Sequence, residues 1–353
     1  MDLIREFSER DIEQVAELHR NVFGLDIAQP ERHYSYFSEQ FLSSDRDSLP
    51  SLVSESREGR ILGFLGVATR HFTFEQRTIR AGLSSQFVVH PEGRRRLMGV
   101  HLLREFLKGP QDLSFTDEAN EMSERIWVAL GGSVSNLQAV QWVIPLRPVR
   151  LALSRYLPAA MAAAFGSAAN VLDRLIAKLP HSPFHGGATV LRSEPLSTEA
   201  MLRCIEEITP QCRLRPRYDR GSLSALIESA GKKVKGSLRG VLLRDDGRRV
   251  AGWYLCHCAA NGLAEVLQVA SRMDCQHEVV THLTSDAKAH GAVAVVGRLE
   301  PGLSEPLANQ FCLLFRRKRL MLVHSRFPEI LSAIHSGQAF ISRLEGEWCL
   351  RFA

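Results

Sequence analysis

The sequence predicts an α/β (α+β) chain of two domains built alike, each a mixed, mainly antiparallel sheet flanked by helices. Three observations point there. At 353 residues the chain is long enough for two cores of ordinary size. Runs that alternate apolar and polar residues, the strand period, are interleaved with runs whose apolar residues recur every three or four, the helix period. The order of those runs in the first half returns in the second, a duplication of pattern rather than of sequence. The expected boundaries are 1–148 for the first domain, 149–187 for a helical connector and 188–353 for the second domain.

In the first half, Leu3 to Phe7 reads as a strand. Glu9 to Phe23 places Ile12, Val15, Ala16, Leu18 and Val22 on one helix face and stops near Gly24. A second helix is expected at Glu31 to Leu42. Ser51 to Glu55 and Ile61 to Phe74 are strands joined by the turn Arg57-Glu58-Gly59-Arg60. Leu83 to Val89 is the next strand, ending at Pro91, and Leu97, Val100, Leu103, Phe106 and Leu107 form the face of a helix after it. Leu113 to Thr116 is a short strand, Asp117 to Leu130 a helix stopped by Gly131-Gly132, and Val140 to Arg147 the closing strand.

The run Leu157 to Leu172 carries no charge, is rich in alanine and is flanked by Arg150, Arg155, Arg174 and Lys178. It is too short and too weakly apolar to span a bilayer, which takes about 20 strongly apolar residues. It fits packed helices broken near Pro158 and Gly166, or an amphipathic lid over residues 150–178 that meets a membrane surface or an acyl chain. Pro180 to Gly187 reads as a linker.

The second half gives a strand at Ala188 to Arg192, helices at Ser197 to Ile208 and Asp219 to Ala230, and the turn Arg244-Asp245-Asp246-Gly247-Arg248. That turn mirrors the earlier one and also precedes a glycine-containing apolar strand, Val250 to Leu255. Leu263 to Ala270, Val293 to Arg298 and Leu320 to His324 are strands. Glu278 to Ala289 and Pro306 to Phe315 are expected helices, and another follows at Glu329 to Ile334.

A formal charge of +5 is modest for this length and does not mark a nucleic-acid binder. The first residues, MDLIREFSERD, mix charges and show no signal-peptide core. Seven cysteines all lie after residue 200, with no second ligand pair at zinc spacing around Cys256-His257-Cys258. Buried thiols in a reducing cytoplasm, and no metal, are the expectation.

The chemistry concentrates between residues 83 and 107. A strand there feeds a turn with Arg94, Arg95 and Arg96, which opens a helix. Helix N-termini present unpaired amides and partial positive charge, so such a turn holds phosphate well. Val89-His90-Pro91-Glu92-Gly93-Arg94-Arg95-Arg96-Leu97-Met98-Gly99 resembles the coenzyme A pyrophosphate loop of the GCN5-related N-acetyltransferases (GNAT family). Arg94 and Gly99 fit the family pattern, while Leu97 stands where its first glycine belongs. Asn120, Ser123, Trp127 and Gly131 fall where the family has Asn, a small residue, Tyr and Gly. The order strand, helix, helix, three antiparallel strands is also that of the family.

The resemblance implies acetyl-CoA, or a longer acyl-CoA, bound by Phe87, Val88, Val89, Arg94, Arg95, Arg96, Leu97, Met98, Gly99, Val100, Asn120 and Ser123. It implies transfer of the acyl group to the amine of a small molecule. In the second half, Met273-Asp274-Cys275-Gln276 replaces the basic turn, so that domain reads as a degenerate GNAT-like unit.

Acyl transfer also needs a base for the amine. Ser85 and Gln86 stand where many relatives carry a carboxylate, and Asp117 and Glu118 are the nearest acids. Trp127, in place of the tyrosine that often protonates the leaving thiolate, cannot donate a usable proton. Arg213, Arg215, Arg217, Arg220 and the run Arg316 to Arg319 would favour an anionic acceptor if they line the cleft. Two rivals are weighed: a non-catalytic acyl-CoA sensor or assembly protein, and an aminoacyltransferase of the peptidoglycan-bridge type.

Overall fold

The structure is a computed structural model that describes residues 3–25, 30–42, 47–95, 97–180, 182–184, 187, 189–232 and 236–352. The first elements are β1 (Leu3–Glu6), α1 (Ile12–Phe23), α2 (Pro30–Phe41), β2 (Leu52–Glu55), β3 (Ile61–Phe74) and β4 (Arg77–Val89). Then come α3 (Pro91–Arg95), α4 (Met98–Leu107), β5 (Leu113–Ala119), α5 (Glu121–Ala129), β6 (Ser133–Val134) and β7 (Val140–Pro145). The middle holds α6 (Pro148–Tyr156), α7 (Ala159–Ala164), α8 (Gly166–Lys178), β8 (Arg192–Pro195), α9 (Thr198–Ile208), β9 (Leu214–Pro216) and α10 (Arg220–Gly231). The rest is β10 (Ser237–Arg244), β11 (Val250–Cys258), β12 (Leu263–Ser271), α11 (Gln276–Ala289), β13 (Ala294–Arg298), α12 (Ser304–Ala308), β14 (Leu313–Arg316), β15 (Leu320–His324), α13 (Pro328–His335) and α14 (Glu347–Leu350).

Two compact units result. The first comprises Met1–Asn136, Lys318–Ser336 and Glu345–Phe352; the second takes Leu137–Arg317 and Gly337–Leu344. The sheet of the first unit runs β1-β2-β3-β4-β5-β15-β6. Its β4–β5 pair is parallel and the other neighbours are antiparallel. Alternation along β3 sets its two faces. A Cβ on Gly63 would touch Leu102 of α4, whereas Phe64 packs with Phe37 and Phe41 of α2 and Val15 of α1. So α4 covers one face of the sheet and α1 and α2 the other.

The sheet of the second unit runs β14-β7-β13-β12-β11-β10-β8, parallel between β12 and β13. Its core gathers Trp142, Ile144, Tyr254, Val266 and Leu283. Where the first unit has its basic turn, this one has Arg272 paired with Asp274 at 2.9 Å and with Asp245 at 3.1 Å.

These units cross the boundaries expected at 148 and 188. Val140–Pro145 closes not the first sheet but the second, pairing with β13 and β14, and its Trp142 and Ile144 enter that core. Leu320–His324 instead lies beside β5 in the first sheet, with Met321, Leu322 and Val323 fully buried. The helix expected at Pro306 to Phe315 is short, because Leu313–Arg316 pairs as an edge strand. The strand expected from Ala188, itself outside the described residues, is found at Arg192–Pro195. The helix expected from Asp117 begins after Asn120, which is extended and caps it, so Asp117 and Glu118 belong to β5.

Candidate active site

β4 and β5 pair only from Ala81↔Leu113 to Leu83↔Phe115. Beyond that register they diverge, and among the described residues no strand pairs with this edge of β4. The divergence begins beside an irregularity: Phe64 lies opposite Val88 and Gly66 opposite Ser85, so β4 carries one extra residue against β3. Gln86 sits in that bulge with a φ of 51°, a left-handed conformation unusual for a side-chain-bearing residue.

A cavity of about 480 Å3 fills the gap. Leu103 of α4 and Ser123 and Trp127 of α5 line it from one face; Phe23 of α1, Glu347 and Arg351 line it from the other. α14 belongs to that second face, because the Tyr36 hydroxyl of α2 donates to Leu350 C=O at 2.5 Å. The cavity therefore passes through the sheet. The Ser85 hydroxyl is buried on its wall and has no hydrogen-bond partner among the described residues.

Of the residues expected from the sequence, Ser85, Gln86, Phe87, Glu118, Asn120 and Ser123 line this cavity. Asn120 also accepts from the Ser123 amide at 2.9 Å, capping α5. Asp117 does not line it: it is buried and accepts the Glu347 amide at 2.8 Å. Val88 points into the α1/α2 core. Trp127 is buried against Phe106 and forms part of the wall.

Arg94 and Arg95 close α3, and Leu97, Met98, Gly99 and Val100 open α4, all outside the cavity lining; Arg96 lies outside the described residues. Met98 is buried, receiving the Ser54 hydroxyl on its sulfur at 3.1 Å. Arg94 Nε donates to Val89 C=O at 3.1 Å. Leu97 has a φ of 57° and precedes the first turn of α4. Thus the residue in the place of a glycine adopts the conformation a glycine favours. A Cβ on Gly99 would come 3.1 Å from the Phe87 ring, so the helix start abuts the cavity wall. Exposed guanidinium groups, a helix start, a strand edge that no strand pairs among the described residues and the Ser85 hydroxyl, unpaired among them, fit an elongated, phosphate-bearing thioester.

Three features were not legible in the sequence. The first is Glu347. Its carboxylate accepts the Thr116 hydroxyl, the Asp117 amide at 3.3 Å and the Glu118 amide at 3.1 Å. Burial, and then the negative charge of Asp117, push it up to about 7, outweighing the Thr116 hydrogen bond. The second is Arg351, which pairs with Glu118 at 2.7 Å on the cavity wall; Arg319, from the basic run the sequence marks, lines the cavity 3.9 Å from Glu118.

The third is a hydrogen-bonded chain through the bulge. Tyr36 gives its proton to Leu350, so it takes one from Gln86 Nε2 at 2.7 Å. That turns Gln86 Oε1 towards His19 Nε2 at 2.7 Å, which must donate. His19 Nδ1 then accepts from His33 Nε2 at 3.2 Å. Burial holds His19 below its ordinary value, partly offset by Gln86. Burial with nearby His19 and Arg20 holds His33 down to about 4.

No protein-family model matches the chain, and no curated protein matches its sequence. Solved structures do match. A GCN5-related N-acetyltransferase from Anabaena variabilis superposes with a TM-score of 0.61 at 11% identity, over 92% of this chain and 73% of that one. A probable N-acyltransferase from Enterococcus faecalis gives 0.59 at 8% identity, over 92% and 72%. The N-myristoyltransferase of Saccharomyces cerevisiae, solved with myristoyl-CoA, gives 0.50 at 10% identity, over 91% and 81%. The fold is that of the GCN5-related N-acetyltransferases, present here as two GNAT-like units.

Proposed function

We propose that the first unit is an acyl-CoA-dependent N-acyltransferase acting on the amine of a small molecule. The observation that carries this reading is the cavity that crosses the sheet where β4 and β5 part, with the unpaired Ser85 hydroxyl and the Glu347 carboxylate on its wall. Acyl-CoA, acetyl or longer, would supply the thioester, its diphosphate at the start of α4 beside Arg94. The open edge of β4 around Gln86 and Phe87 offers backbone donors to the thioester carbonyl as negative charge develops there. Glu347, titrating near neutrality, takes the proton the amine loses on forming its new C–N bond. Trp127 supplies no acid, so the departing thiolate takes its proton from water. Arg319 and Arg351 at the rim favour an acceptor that also carries a carboxylate or phosphate.

Calorimetric titration with acetyl-CoA and a longer acyl-CoA, repeated on Arg94→Ala, tests binding; release of free thiol with a panel of amines tests transfer. Saturable binding weakened in Arg94→Ala, with amine-dependent thiol release, is the expected result. Binding without release would leave a sensor, and absence of binding removes the proposal.

A further inference from the structure

The connector of the second unit carries a surface that the transferase reading does not use. α6 and α8 pack together, tied by Asp173, which accepts the Val149 amide at 2.8 Å and the Arg150 amide at 3.2 Å, and by Arg150 Nη1 donating to Asn170 at 3.1 Å. The buried stripe of α8 is Gly166, Ala169 and Asp173. On a helix with one buried stripe the opposite face is normally polar. Here it is apolar: Val171, Leu172, Leu175 and Leu179 recur at helical spacing and are about half exposed, Leu175 at 57%. Tyr156, the last residue of α6, and Phe165, between α7 and α8, are exposed as well, at 83% and 52%.

Charge on this segment has one sign. Arg174 and Lys178 fall between the buried and the exposed apolar stripes, and Arg155 is exposed on α6. Asp173 is the one acid in the sequence from Pro148 to Leu179, and it is buried in capping α6. An apolar stripe edged by cations with no exposed acid is poorly matched to a second copy, since a two-fold contact would set like charges together. It matches the interface of a bilayer with anionic headgroups, where apolar side chains enter the headgroup boundary and cations meet phosphates. Among the described residues no helix is long and apolar enough to cross a membrane, so the contact is peripheral.

We infer that the exposed face of α8, with the turns before it, docks the protein onto an anionic lipid surface. The test is co-sedimentation of the full chain with vesicles of phosphatidylcholine alone, or mixed with phosphatidylglycerol, at low and high salt. Binding is expected to the mixed vesicles, weakening with salt. Arg174→Glu with Lys178→Glu, exposed changes that leave the fold intact, should weaken it by at least about fivefold per cation replaced. Leu175→Asp should abolish it while circular dichroism and thiol release stay unchanged. Equal binding by the charge-reversed protein, or no binding by the parent, overturns the inference. So does a parent that sediments as a dimer which Leu175→Asp converts to monomer, because the face would then join copies of the chain.

Discussion

His19 Nε2 and Gln86 Oε1 stand 2.7 Å apart, and this contact joins the end of α1 to the bulge of β4. Because Gln86 also donates to Tyr36, its amide is held at both ends in a left-handed backbone conformation. Replacing Gln86 by Met keeps the volume and removes both polar partners. His19 and Tyr36 would each be left with a group shielded from water and unsatisfied, at about 1–3 kcal/mol apiece. Urea denaturation should therefore show Gln86→Met less stable by roughly 2–6 kcal/mol. An unchanged midpoint would mean the chain of hydrogen bonds does not persist in solution.

The same network makes a pH signature. His33 takes its proton near 4 in the folded protein against an ordinary value of 6.5, so between those values the unfolded chain binds more protons. Stability from this group falls as pH is lowered through that window. Glu347 acts in the opposite sense: raised from 4.5 to about 7, it makes the folded protein the better proton binder there, and stability falls as pH rises. Other histidines lowered by burial, His19, His282 and His324, act in the same sense as His33. Relative to the parent, urea midpoints followed from pH 4.5 to 6.5 should therefore climb less with pH in His33→Gln and climb more in Glu347→Gln.

Catalysis should separate from stability at Glu347. Glu347→Gln removes a carboxylate that is costly to ionise, so at pH 8 the variant should be more stable by roughly 1–3 kcal/mol. Thiol release should fall by about two orders of magnitude or more. In the parent, the rate should rise with pH through about 7, as the base loses its proton. A Glu347→Gln protein with parental turnover would assign the base elsewhere.

Leu97 offers a cleaner backbone test. A left-handed residue with a side chain is strained by about 1–2 kcal/mol, against which glycine sets its own greater unfolded-state entropy. Leu97→Gly should thus gain up to about 1 kcal/mol, and Leu97→Val, branched at Cβ, should lose more than that. Thermal melts decide it. Equal melting of the two would show that the loop is not held at the φ of 57° described.

Gly346 sets the position of Glu347. A Cβ there would stand 2.1 Å from Asp117 Oδ2, an overlap relieved by turning the Asp117 carboxylate away from the Glu347 amide or by moving α14 or β5. Gly346→Ala should cost about 1–3 kcal/mol and reduce thiol release through displacement of the carboxylate. Restored activity in Gly346→Ala with Asp117→Ser would tie the loss to this one contact.

Most elements follow from periodicity, because a buried strand or helix face needs apolar residues at fixed spacing. Periodicity does not say which sheet a strand joins. Val140–Pro145 and Leu320–His324 both show the pattern of buried strands, and nothing local distinguishes membership of one sheet from the other. The site was readable as far as it lies on one continuous strand and turn: Ser85, Gln86 and Phe87 belong to the motif, and Glu118 follows from the next strand. Glu347 reaches the cavity from 229 residues beyond Glu118, with no motif around it. His19, His33 and Tyr36 carry ordinary helical spacing, so the sequence marks them as helix residues rather than as a network.

The arrival of β15 and α14 from late in the chain has a consequence for synthesis. At about 5–20 residues per second, β5 waits roughly ten to forty-five seconds on the ribosome for the strand that covers its outer edge and the segment that brings Glu347. Until then the nascent sheet offers an unsatisfied margin to passing chains, and the cavity lacks the carboxylate proposed as its base.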